Sequence, residues 1–246
     1  MGAWDTGMRL PAVLGWTALV LAAPAATGAG GVPARAQGGP VCAGSSWRDV
    51  PPVVGPACKY LFYLHARLVE LGGRQAVSKR HGPYEYDGIV RAFAERRFVV
   101  ISEVRPAETS LDYGEKTAGQ VRSLLAAGVP AENVTVVGFS KGGFLALAAS
   151  AALAQPKVNF VIMAGCGIGP WRTDILRSIA PRLQGRILSL YDEADDEAGS
   201  CREAFGLAAG IASEEVRLRT GLGHGLFYAP RREWLDPASR WASGRP

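Results

Sequence analysis

The stretch "VTVVGFSKGGFLALAA", Val134 to Ala149, decides the fold. Its first half is a β-branched apolar run, and its second half is dense in Ala and Leu, the residues of a helix. Between them, Gly138 and Gly142 flank Ser140 at two positions on either side. A chain that only had to turn from strand to helix would not need that spacing. Glycines there permit a strained turn that leaves the serine hydroxyl exposed at a helix N-terminus, where N–H groups and the helix dipole favour developing negative charge. With 31 Gly and 14 Ser in 246 residues, a G-x-S-x-G match arises by chance about 0.2 times per chain, so the weight falls on the strand–turn–helix context.

Outward from this stretch, strand-like and helix-like segments alternate. Tyr60–Ala66, Phe98–Arg105, Asn159–Gly167, Arg186–Asp192 and Val216–Gly221 read as further strands, several of them continuous apolar runs of the kind that is covered on both faces. Tyr86, Ile89, Val90 and Phe93 mark one apolar helix face, and Val121, Leu124 and Leu125 another, which Gly128 and Pro130 stop. The alternation implies βαβ crossovers, hence an α/β fold with a mostly parallel sheet and helices on both faces. Ligands of such sheets bind beyond the carboxyl ends of the strands. His65, Arg105, Ser140, Cys166, an acidic run from Asp192 to Glu197, and His224 stand there.

The N-terminal 36 residues differ in kind. Arg9 precedes Leu10–Ala26, apolar apart from Thr17, and small residues follow up to Ala34-Arg35-Ala36. That is the order of a secretory signal with its cleavage region. Pro11 and Pro24 bracket a span short for a permanent membrane anchor. The expected mature chain, 37–246, is one exported domain, periplasmic or secreted, with no stable membrane anchor. Four cysteines agree with an oxidising compartment and allow three pairings, of which Cys42–Cys58 with Cys166–Cys201 is preferred. No cysteine has metal-type spacing, and no metal or organic cofactor is implied. The net charge of +5 comes from scattered Lys and Arg with no aromatic–basic stripe, which argues against a nucleic-acid partner.

A serine hydroxyl needs a base, and the base an orienting acid. Of three histidines, His224 in "GLGHGLFY" follows the last strand between two glycines, where an imidazole can swing over a site; His81 sits in a polar loop. Asp195 is the preferred acid, three residues past Asp192 where the strand has turned into a loop, with Asp192 as the alternative acid and Asp196 third. The order Ser140, acid, His224 is that of one convergent triad.

These residues resemble the α/β-hydrolase superfamily, with its nucleophile elbow and Ser–Asp–His triad. The segment "YLHAR" is similar to the one where that family places a His-Gly pair, although Ala66 stands at the glycine position. The resemblance implies an oxyanion hole from the N–H of Lys141 and of Ala66 or Arg67. The 55 residues from Ser140 to Asp195 leave little room for a lid domain, as in small esterases and dienelactone-hydrolase-like proteins. His65, Arg67 and Arg105 are expected near the substrate. Arg67, Arg105 and Lys141 would either attract an anionic group or, the preferred reading, pair locally with Glu70, Glu103 or Glu115; Tyr84, Tyr86 and Trp171 are candidate walls.

The expected function is therefore an exported serine hydrolase, carboxylesterase-like, cleaving a small-molecule ester or related acyl bond through Ser140, His224 and Asp195. The rival readings are a non-catalytic extracytoplasmic binding protein on the same fold and an acyltransferase with the same triad.

Overall fold

The computed structural model describes Cys42 and residues 44–167 and 170–244. The expected signal segment lies outside the described residues, as does the side chain of Trp171. Seven strands make the main sheet: β1 (Ser46–Trp47), β2 (Tyr60–Leu64), β3 (Val99–Ile101), β4 (Val134–Phe139), β5 (Asn159–Met163), β6 (Gln184–Asp192) and β7 (Gly210–Leu218). Their order is β1-β3-β2-β4-β5-β6-β7, and every neighbouring pair is parallel.

Parallel strands need crossovers, and helices supply them: α1 (Arg67–Gly72), α2 (Tyr86–Glu95), α3 (Asp112–Ala126), α4 (Lys141–Leu153), α5 (Pro170–Ile179) and α6 (Arg202–Gly206); α7 (Arg232–Ala242) follows the last strand. Because side chains alternate along a strand, the sheet divides the core in two. Tyr60, Phe62 and Leu64 of β2 face the layer that holds Val121 and Leu124 of α3, Leu145 of α4 and Ile179 of α5. Leu61 and Tyr63 face the opposite layer, with Ile89 and Phe93 of α2 and Trp234 and Leu235 of α7. All residues of β2, β4 and β5 are buried, which is why they spell continuous apolar runs.

Several expected boundaries move. The last strand begins at Gly210 and ends at Leu218, rather than running 216–221. It is an edge strand, half exposed, and its polar "ASEE" carries no apolar signal. The expected strand 159–167 breaks after Met163, and Cys166–Gly167 pairs antiparallel with Ala198–Gly199 instead.

The chain leaves β2 toward β3 on one side and returns to β4 on the other. This reversal opens a crevice between the carboxyl ends of β2 and β4, whose register pairs Leu64 with Gly138. Two disulfides tie loops to the core: Cys42–Cys58 and Cys166–Cys201, the preferred pairing, with sequence separations of 16 and 35. The second sits beside the short ladder at Ala198, just past the acidic loop. No helix among the described residues is long and apolar enough to cross a membrane.

On chain-entropy grounds each disulfide contributes about 3 to 4 kcal/mol. Replacing Cys166 and Cys201 together by Ala should lower the denaturant midpoint correspondingly, and an unchanged midpoint would remove this loop from the list of what the bridge stabilises.

Candidate active site

The site starts at the turn after β4. Ser140 has φ 54° and ψ −118°, a left-sided conformation uncommon for a residue with a side chain. What forces it is close packing of backbone on backbone. A Cβ at Gly138 would stand 2.1 Å from the Gly142 carbonyl oxygen, and one at Gly142 would stand 1.9 Å from that of Leu64. The elbow thus lies directly against the end of β2. The Ser140 N–H donates to the Met163 carbonyl (2.9 Å), which ties the turn to β5 as well. α4 begins at Lys141, so its first N–H groups have no partner within the helix and point toward the serine end.

The acidic run sorts into separate tasks. Asp195 Oδ2 lies 2.8 Å from His224 Nδ1, and both side chains are almost completely buried. Its other oxygen accepts the N–H groups of Glu197 (2.8 Å) and Ala198 (3.0 Å), so the carboxylate is fixed by its own loop. Asp192, the alternative acid, makes no hydrogen bond to the imidazole. It accepts the N–H (2.8 Å) and hydroxyl (2.7 Å) of Thr220 and the N–H groups of Ala194 (3.0 Å) and Gly223 (3.2 Å), holding together the two loops that carry Asp195 and His224. Burial opposes its charge, but these donors outweigh it and hold the carboxyl below its usual range. Asp196 pairs with Arg80 (2.8 Å) on the surface.

Phe139, the residue before the serine, packs its ring 4.8 Å from the His224 ring. Glu197 bridges two histidines, with Oε1 3.1 Å from His81 Nε2 and Oε2 3.9 Å from His224 Nε2. Among the described residues no hydrogen bond joins Ser140 Oγ to His224. In unliganded enzymes such bonds are commonly long and tighten on binding. Sequence reasoning counted Glu197 only as part of the acidic run and left His81 in a polar loop, because nothing in the spacing shows that both come to the imidazole.

Two of the three residues expected at the substrate stand differently. His65 and Arg105 are sealed from solvent, at 0% and 1% exposure. His65 Nε2 accepts the Arg105 backbone N–H (2.9 Å), and the Arg105 guanidinium meets Glu70 (3.0 Å). Neither lines the cavity at Ser140, so the expectation of direct contact is corrected to a buried place behind the turn. Burial first, then the Arg105 charge, pushes His65 down to about 3. Arg67 is exposed and pairs with Glu108 (3.2 Å) rather than with any of the three glutamates expected. Lys141 does pair with Glu70 (2.6 Å). Tyr84 and Tyr86 are buried core residues.

A cavity of about 350 Å³ opens on Ser140. Leu111, Phe144, Leu145 and Ile175 give it apolar walls, and Arg67 and Glu108 stand among its polar lining. Among the described residues no group of three or more His, Cys, Asp or Glu side chains is placed to hold a metal ion.

His65 supplies a pH test. Its proton binds near pH 6.5 in the unfolded chain but only at about pH 3 in the fold, so the unfolded state takes up more protons across that window. Stability from this site is complete above about pH 6.5 and declines as pH falls through the window. The difference in urea midpoint between the wild type and His65→Gln should be constant above that pH and narrow below it. A difference that holds constant down to about pH 4 would contradict the buried, neutral imidazole.

The sequence matches no family model and no curated protein. Solved structures similar to it include SOBER1 from Arabidopsis thaliana, at TM-score 0.53 and 15% identity, covering 76% of this chain and 98% of that one. A truncated carbohydrate esterase from gut microbiota aligns at TM-score 0.52 and 14% identity over 79% and 89% of the two chains. For 2,6-dihydroxy-pseudo-oxynicotine hydrolase the figures are 0.51, 14%, 80% and 64%, so the chain spans less than two thirds of that protein's length. The likeness is one of fold: with its parallel seven-stranded sheet and the helices around it, the chain has the α/β-hydrolase fold.

Proposed function

We propose that the chain is a serine hydrolase that cleaves carboxylic esters through an acyl-enzyme. The observation that carries this reading is the buried Asp195–His224 pair at 2.8 Å, whose imidazole packs on Phe139, the residue before a strained serine that lines a largely apolar cavity. Ser140 Oγ attacks the ester carbonyl while His224 Nε2 takes its proton. Asp195 keeps the other nitrogen protonated and stabilises the imidazolium that forms. The tetrahedral oxyanion is held by the N–H of Lys141 and by that of Ala66 or Arg67. Arg67 opens α1 and lines the cavity, whereas the Ala66 backbone lies beside the buried Tyr84 hydroxyl, which favours Arg67. Collapse expels the alcohol, to which His224 returns the proton. A water molecule then repeats the cycle, giving the acid and free serine.

The apolar lining and the volume of about 350 Å³ suit an uncharged acyl or alcohol group of small to medium size. The reading includes export, supported by the order of residues in the first 36 and by the two disulfides. A binding protein without turnover is the second reading. It draws on the Glu197 carboxylate at 3.9 Å from His224 Nε2, the nitrogen that must serve Ser140.

Hydrolysis of p-nitrophenyl esters from acetate to octanoate tests the choice. Ser140→Ala, His224→Ala and Asp195→Ala should each lower kcat by about 10³-fold or more. Asp192→Asn should lose stability more than rate. Turnover that survives in Ser140→Ala, or none in the folded, oxidised wild type, would overturn the hydrolase reading, and the latter would leave the binding protein.

A further inference from the structure

Lys141 directly after the serine has no task in the proposed reaction beyond its backbone N–H. Its side chain reaches back to Glu70, whose carboxylate is completely buried and divided between two cations. Oε2 accepts Lys141 Nζ (2.6 Å) and Oε1 accepts Arg105 Nε (3.0 Å). Arg105 in turn donates Nη2 to the His65 carbonyl and its own N–H to His65 Nε2 (2.9 Å). Since Nε2 accepts, Nδ1 carries the imidazole proton and donates it to the Ala66 carbonyl (2.8 Å).

The consequence follows from peptide geometry. In a planar trans peptide, holding the carbonyl fixes the direction of the N–H across the same bond. Arg105 on the His65 carbonyl therefore sets the Ala66 N–H, and His65 on the Ala66 carbonyl sets the Arg67 N–H. Both candidate donors on the β2 side are aimed by this cluster, and Lys141 contributes the donor on the elbow side. We propose that Glu70 is a positioning residue that ties the two halves of the oxyanion hole together, through Arg105 to the 65–67 turn and through Lys141 to the elbow. The inference rests on the hydrolase reading above.

Energetics favour a functional origin for the cluster. One carboxylate faces two cations, leaving a net positive charge, and Arg105 Nη1 is buried with no hydrogen-bond partner among the described residues. An apolar packing of the same volume would be at least as stable as such a buried ionic group. A net positive charge beside the place where an oxyanion forms lowers the barrier instead.

The test compares an oxoester with its thionoester analogue. Sulfur accepts hydrogen bonds poorly, so the rate ratio of the two reports how well the donors are aligned. In Lys141→Met the oxoester kcat should fall about 10- to 100-fold with KM nearly unchanged, and the oxo-to-thiono ratio of kcat/KM should shrink about tenfold. Lys141→Arg should recover most of the ratio. Glu70→Gln should repeat the loss, but it strands Arg105 in the core, so Lys141→Met carries the decision. A folded Lys141→Met with an unchanged ratio, or with both substrates slowed equally, overturns the tether alone. A wild type that does not turn over the oxoester removes the hydrolase reading, and the tether with it.

Discussion

At Gly142 the backbone of the elbow comes so near the end of β2 that a Cβ there would stand 1.9 Å from one carbonyl oxygen and 2.7 Å from the next. Everything at the site depends on that approach. It puts the N-terminus of α4 against the end of β2, next to the turn that carries Ala66 and Arg67. It also leaves Ser140 no relaxed conformation, which is why φ there is positive. The same contact needs the neighbouring strands in register, Leu64 beside Gly138 and Phe139 beside Met163. Strain at one residue is thus borne by three buried strands.

Charge is distributed around this contact with little waste. Asp195 serves the imidazole, Asp192 fastens the two loops, Asp196 faces Arg80 at the surface, and Glu197 stands between His81 and His224. Behind the serine, Glu70 collects Arg105 and Lys141. There are therefore two carboxylate-centred clusters, one around His224 and one around Glu70, which reaches the elbow through Lys141. The apolar cavity opens between the walls of α4 and α5 and the 108–111 loop.

Much of this was legible because buried parallel strands write their pattern plainly. The apolar runs of β2, β4 and β5 and the glycines around Ser140 locate the crevice from the sequence alone. The edge strand β7 was half missed, since one unpaired side lets it carry Ser213, Glu214 and Glu215. Charge partners across long separations were hard to assign. Nothing local says that Glu70 answers Lys141 from 71 residues away, or that Arg67 takes Glu108. His65 directly follows β2 as expected, whereas β3 stops at Ile101 and leaves Arg105 in the loop beyond; both are buried, with Glu70 of α1 against Arg105, which side-chain spacing does not encode.

The central claim is that Ser140 is a nucleophile activated by its surroundings, and covalent capture tests it most directly. The oxidised protein would be treated with a fluorophosphonate, weighed intact and mapped by peptide mass spectrometry. The account predicts one adduct per chain, on Ser140, and none in His224→Ala. An adduct elsewhere, or no adduct on a folded protein, would contradict it.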